Sequence, residues 1–159
     1  MINLNINMLI YQPIKQVFDF VSTPENDFQW QYGTLASARL SKDAGNSRMG
    51  TFFRSIGHLL GRRNLSTFEV VEYEQNKKYG FKTLSGPLHS ETIYTFEVID
   101  DKTNVNISTY VNATQSPHFN EAVLGKNMKE QLKENMAILK DLLEEQQTLP
   151  ALETNSPIV

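Results

Sequence analysis

Apolar and polar residues alternate from the start of the chain. Ile2, Leu4, Ile6, Met8 and Ile10 hold one parity, and Asn3, Asn5 and Asn7 hold the other. A period of two predicts a strand with one dry face and one solvated face. Tyr11-Gln12-Pro13 breaks the pattern, and Pro13 suits the first turn of a helix, where its missing N–H is no loss. Ile14, Val17, Phe18 and Val21 follow at helical spacing, which predicts a short amphipathic helix. Ser22-Thr23-Pro24-Glu25 marks a second start, with Ser22 or Thr23 as cap and Pro24 at the first helical position. This second short helix carries Phe28 and ends at Gly33. Helices this short are not stable alone and must pack on something else.

From Thr34 to Tyr110 the pattern is strand and turn. Strands are predicted over 34–40, 50–56, 65–73, 79–84 and 91–99, with a last one carrying Val105, Ile107, Thr109 and Val111 on a single parity. The turns fall at 41–46, at Gly57 to Arg63, at Glu74 to Lys77, at Gly86-Pro87 and at Asp100-Asp101-Lys102. Strands joined by such short turns are antiparallel neighbours, because a parallel crossover needs a dozen or more residues. One face of the resulting sheet is polar and the other has to be covered.

The cover follows in the chain. Leu124, Met128, Leu132, Met136, Leu139 and Leu143 recur every three or four residues, with Leu142 widening the stripe, and predict a helix from about Asn120 to Gln147. Roughly 27 residues at 1.5 Å each give about 40 Å, so the helix needs an extended surface to lie on. A curved sheet of six or seven strands provides one. The expected fold is α+β: a curved antiparallel sheet of about seven strands wrapped around a long C-terminal helix, with two short helices after the first strand. Residues 1–147 are expected to form one domain and 148–159, with two prolines and no helical stripe, a disordered tail.

Composition narrows the function. The 159 residues contain no cysteine, which excludes disulfides and thiolate chemistry. Lys plus Arg total 15 against 18 Asp plus Glu, a net charge of -3 without the basic excess of a nucleic-acid binder. No stretch has the length of a transmembrane span. Met1 to Tyr11 carries no basic residue, unlike the charged region of a signal peptide, so the expected location is the cytoplasm.

Several segments are familiar in combination: Pro13-Ile14-Lys15-Gln16-Val17-Phe18-Asp19-Phe20-Val21, Pro24-Glu25-Asn26, Trp30-Gln31, Phe68-Glu69-Val70-Val71-Glu72-Tyr73, and Tyr94 with Phe96. With the order strand, two short helices, six strands, long helix, they resemble the START-like (SRPBCC) superfamily in its polyketide cyclase/dehydrase-like branch, over about residues 2 to 145. The resemblance implies a helix-grip fold whose sheet and helix enclose a cavity for lipids, quinones, polyketides or other apolar ligands. It does not choose among carriers, cyclases, oxygenase subunits and co-chaperones. An oxygenase would need a two-histidine, one-carboxylate iron site, and the three histidines, His58, His89 and His118, stand in unrelated contexts. No metal or other cofactor is called for.

A cavity needs walls from both sheet and helix. Phe68, Tyr79, Phe81, Tyr94 and Phe96 are the sheet candidates, and Met128, Leu132 and Met136 the helix candidates. The alternative for all of them is a dry core. Tyr79 with Phe81, and Tyr94 with Phe96, share a parity. Phe68 is ambiguous because Val70 and Val71 point oppositely. Trp30, near the end of the second helix, either contacts ligand or plugs the junction of helices and sheet. Arg54 is a candidate polar anchor if Phe52 and Ile56 face inward, and is solvated if Phe53 does. The basic turn Gly57-His58-Leu59-Leu60-Gly61-Arg62-Arg63 is a candidate lid, membrane-facing tip or partner-binding loop.

Three functions follow for comparison. The first is binding or transport of a small hydrophobic ligand. The second is cyclase or dehydratase catalysis on such a ligand, which needs an acid or base beside the reacting carbon. The third is a co-chaperone-like role resting on Leu59-Leu60. Peripheral membrane contact and a protein partner or homodimer are compatible with the pattern, but nothing in it points to them.

Overall fold

The computed structural model describes residues 1–40, 48–59, 61–112 and 120–145. The predicted turn at 41–46, Leu60, His118 and the expected tail lie outside the described residues. The chain runs β1 (Ile2–Ile10), α1 (Ile14–Val21), a 3₁₀ helix (Pro24–Gln29), β2 (Thr34–Arg39), β3 (Phe52–Leu59), β4 (Arg62–Glu74), β5 (Lys78–Ser85), β6 (His89–Ile99), β7 (Lys102–Asn112) and α2 (Glu121–Glu145). The seven strands form one sheet in the order β1-β7-β6-β5-β4-β3-β2, each pair antiparallel. The sheet curves around α2, and register shifts between β2 and β3 and between β4 and β5 add local bends.

Local chemistry accounts for the elements. The outer face of β1 and β7 is a polar ladder in which Asn5 donates to Ser108 Oγ at 2.7 Å and Asn104 donates to Asn7 Oδ1 at 3.3 Å. Asp100 and Asp101 both adopt left-handed φ, 52° and 50°, as a two-residue type I′ hairpin requires, and so join β6 to β7 tightly. Asn120 caps α2, its Oδ1 accepting from the Ala122 and Val123 N–H groups.

Two local expectations change. The second short helix forms as a 3₁₀ helix, and Thr23, at its N-cap position, makes no side-chain capping bond. The Thr23 hydroxyl donates back to the Asp19 carbonyl instead, at 2.7 Å, tying the segment to α1. The expected reversal from Gly57 is also shorter, because β3 continues through Leu59 and β4 begins at Arg62. Gly57 lies inside the strand because β2 enters there. The His58 N–H donates to the Gly33 carbonyl at 2.7 Å, and a Cβ on Gly57 would fall well inside contact distance of that same carbonyl oxygen.

The apolar interior is divided in two. The larger cluster joins Val17, Phe18 and Val21 of α1 to Ile10, Phe96 and Val105 of the sheet and to Met136, Leu139 and Leu143 of α2. A smaller one joins Ile2, Val111 and Leu124, with Leu4, Leu59, Leu88 and Met128 against it. Leu124 and Met136, which belong to different clusters, are separated by about 18 Å of helix. The α2 residues between them, Met128 and Leu132, are only half-buried, and opposite them Thr109 interrupts the apolar parity of β7. The space left between the clusters is where the candidate site lies.

Candidate ligand-binding site

A cavity of about 270 Å³ occupies this gap. Met128 and Leu132 of α2 form its roof, and Leu4, Ile107 and Thr109 of β1 and β7 part of its floor. One wall is aromatic, formed by Trp30, Phe68, Phe81 and Tyr94 and backed by the core residues Phe53 and Tyr79. Phe53 stacks on Phe68 with centroids 5.0 Å apart, Phe68 meets Phe81 edge-on at 5.3 Å, Phe81 contacts Tyr79 at 5.6 Å, and Tyr79 stacks on Tyr94 at 5.9 Å. Trp30 closes the row, edge-on to Tyr94 at 6.3 Å. The other wall is polar but neutral: Thr92 and Thr109 pair through their hydroxyls at 3.2 Å, and Ser90 pairs with Thr83 at 2.9 Å. Two amides, Gln131 and Asn135, complete the helix side.

The cavity opens into a wider vestibule of about 650 Å³ between α2 and the β3–β4 hairpin. Gly33, His58, Leu59, Met128 and Gln131 border both spaces. Glu130 and Glu134 stand on the helix lip and Tyr32, 78% exposed, near the opposite edge.

Six of the ten residues expected from sequence meet at this cavity: Trp30, Phe68, Phe81, Tyr94, Met128 and Leu132. Phe68 faces inward on the parity of Val70. Tyr79, Phe96 and Met136 are buried but stand beside or below the cavity in the main cluster, Phe96 edge-on to Phe18 at 5.0 Å. Arg54 is a correction. Phe53 is the inward residue of β3, at 2% exposure, so Arg54 points outward with Phe52 and is exposed. A strand's period of two allows only one of those parities to face the core, and the aromatic stack with Phe68 and Phe81 fixes which. Of the candidate tip, Leu59 borders the cavity and Arg62 and Arg63 are exposed.

The sequence reading missed the polar lining. Thr92 shares the parity of Tyr94 and Phe96, and Thr109 that of Ile107 and Val111, so alternation could have found both. Gln131 and Asn135 fall on the apolar stripe of α2, and a polar residue on such a stripe was the available signal. His58, placed among unrelated histidines by sequence, borders the cavity mouth.

Behind Trp30 lies a buried carboxyl. Asp27, on the 3₁₀ helix, is 7% exposed, and its main-chain carbonyl accepts from the Trp30 and Gln31 N–H groups. Burial, and then the nearby Glu25 charge, push its carboxyl well above the usual aspartate range. Burial and then Asp27 raise the Tyr79 and Tyr94 hydroxyls in turn, so both stay protonated donors. Burial alone would raise Glu25 too, but hydrogen bonds from Arg39, through its main-chain N–H at 3.0 Å and Nε at 3.2 Å, outweigh it and hold Glu25 low. Among the described residues no cluster of three His, Asp or Glu side chains could hold a metal ion, and no helix is long and apolar enough to cross a membrane.

The family described as "Polyketide cyclase / dehydrase and lipid transport" matches residues 1–144. Among solved structures, a START superfamily protein from Mycobacterium smegmatis superposes with a TM-score of 0.73 at 16% identity, over 92% of this chain and 99% of that one. A protein from Thermus thermophilus gives 0.70 at 18% identity, over 97% and 99%. The di-domain ARO/CYC StfQ from the steffimycin biosynthetic pathway gives 0.68 at 16% identity over 91% of this chain, which spans 46% of that protein. These structural likenesses bear on the fold alone. No curated protein matches. The family match over nearly all the described residues makes this chain a member of the polyketide cyclase / dehydrase and lipid transport family, with the helix-grip fold that the START-like resemblance implied.

Proposed function

We propose that the cavity under α2 binds and carries a small hydrophobic molecule, such as an aromatic compound, quinone, polyketide or compact lipid. The observation that carries this reading is the gap between the two apolar clusters, roofed by half-buried Met128 and Leu132 and walled by Trp30, Phe68, Phe81 and Tyr94. Its lining contains no Asp, Glu, Lys or Arg side chain among the described residues, which favours an uncharged ligand, since burying an unpaired charge is costly. About 270 Å³ lies near the lower end of ligand-site volumes. It suits a compact molecule, or the head of a longer one whose tail occupies the vestibule. A cytoplasmic setting fits a carrier of this kind, and cell fractionation checks it.

Trp30 is the single tryptophan and lies in the cavity wall, so its fluorescence reports occupancy directly. Titration with a panel of fatty acids, sterols, quinones and aromatic polyketides is expected to give a saturable change with at least one class. Leu132→Phe, which fills the roof, is expected to weaken that binding, and Arg54→Ala, on the outer face, to leave it unchanged. A panel without saturable response, or a response indifferent to Leu132→Phe, would refute the carrier reading.

Catalysis in the same cavity is the second reading. The observation favouring it is the Tyr94 hydroxyl, kept protonated in the wall close to the buried Asp27. Such a hydroxyl can donate to a ketone oxygen as charge develops there. Single-turnover incubation with a linear poly-β-ketone, read by mass spectrometry against Tyr94→Phe, separates the two: a cyclised or dehydrated product dependent on Tyr94 is required.

A further inference from the structure

We propose that Asn135 is the polar anchor of the cavity and selects ligands that present a neutral carbonyl or similar hydrogen-bond acceptor. The proposal rests on the ligand-binding reading above and specifies its chemistry. Asn135 is on α2, one residue before the core residue Met136, and is 8% exposed while bordering the cavity. Its Oδ1 accepts from the Tyr32 main-chain N–H at 2.9 Å. That bond decides which way the amide faces, because the flipped side chain would set an NH₂ against an N–H. The carbonyl half is thus committed to the protein, and the Nδ2 group, two N–H donors, is left without an acceptor among the described residues.

The surrounding groups do not supply one. The Thr92 and Thr109 hydroxyls share one hydrogen bond with each other across the opposite wall. The Trp30 indole N–H is itself buried and unpartnered. Asn135 Nδ2 is therefore an open donor on a residue that borders the cavity, and a ligand oxygen that reaches it gains a hydrogen bond. A hydrocarbon of the same shape would cover that donor and leave it unpaired. A carboxylate would also offer acceptors, but no cation lines the cavity among the described residues and Glu130 and Glu134 stand at its entrance. A neutral carbonyl is the chemistry that fits.

The test compares 9-fluorenone with fluorene, which differ by one carbonyl, and with fluorene-9-carboxylate. Isothermal calorimetry at pH 8 is run on the wild type, Asn135→Leu and Asn135→Asp, with circular dichroism confirming that each is folded. Asn135→Asp keeps an acceptor for the Tyr32 N–H and loses the donor. The wild type is expected to bind the ketone about 10-fold or more tighter than fluorene, and more tightly than the carboxylate. Both variants are expected to lose the preference while keeping affinity for fluorene. Infrared spectra are expected to show the bound ketone's C=O stretch at lower wavenumber in the wild type than in Asn135→Asp. Equal affinity for ketone and hydrocarbon in the wild type, or a preference that survives both variants, overturns the anchor and leaves the carrier reading standing. Binding of none of the three compounds to any of the proteins overturns the anchor, and the carrier reading then stands or falls on the panel titration above.

Discussion

Replacing Asp27 by asparagine should stabilise this protein at neutral pH, and the gain should depend on pH in a direction opposite to that of most carboxylates. The side chain is buried beside Glu25, and both effects disfavour its charge. Its folded-state pKa is therefore raised, whereas in the unfolded chain it titrates near pH 4. Between those two values the unfolded chain has lost a proton that the folded chain still holds. Stability must then fall as pH rises, by about 1.4 kcal/mol for each pH unit, and level off once the folded group also ionises. Asparagine has the same shape and does not titrate. Contributions from Glu25 and Glu144, whose pKa values are lowered, are present in both proteins and largely cancel in the difference. The assay is urea unfolding of wild type and Asp27→Asn, followed by circular dichroism at one-unit steps from pH 4 to pH 8. The stability of wild type relative to variant should decline from about pH 4 upward for as long as the folded side chain holds its proton. A flat difference, or one that moves in favour of the wild type as pH rises, would show that Asp27 keeps its charge and that burial does not govern this corner of the site.

Three further outcomes follow from the same geometry. Met136 and Leu139 are fully buried in the main cluster, so truncation of either to alanine should cost about 2–5 kcal/mol, whereas Leu132→Ala, on the cavity roof, should cost about half as much in urea unfolding. Gly57→Ala puts a methyl group against the Gly33 carbonyl, which is backbone and cannot swing aside, so a loss of about 2 kcal/mol or more is expected by thermal denaturation. Lys140 donates to the Leu9 carbonyl at 2.7 Å and to Glu144 at 2.6 Å, and sits 4.4 Å from the Tyr11 ring centroid, so Lys140→Met should cost about 1–2 kcal/mol. Burial would raise Glu144, but Lys140 and the Tyr11 N–H hold it low, so the wild type should lose this contribution as pH falls through the acid range, and Lys140→Met should lose less.

Much of the architecture was legible because periodicity is a local property. The alternation of Ile2 to Ile10 against three asparagines, the short hairpin turns and the stripe from Leu124 to Leu143 dictate an antiparallel sheet with one face for a long helix. Only assembly could decide which parity of β3 faces inward, because Phe52, Phe53, Arg54 and Ile56 offer apolar residues on both. The choice fell to Phe53 once Phe68 and Phe81 stood beside it, and that choice placed Arg54 outside. The same holds for the cavity. Stripe residues look alike in sequence, yet Met136 fills the core while Leu132, four residues earlier, roofs a space, because the opposing sheet is packed at one point and recedes at the other. Asn135 and Asp27 gained their character from tertiary neighbours, Tyr32 for the one and a dry environment for the other. Chain pattern therefore determined the sheet, the helix and their mutual contact. Where side chains fail to fill the space between them depends on residues distant in sequence, and only the folded structure decides it.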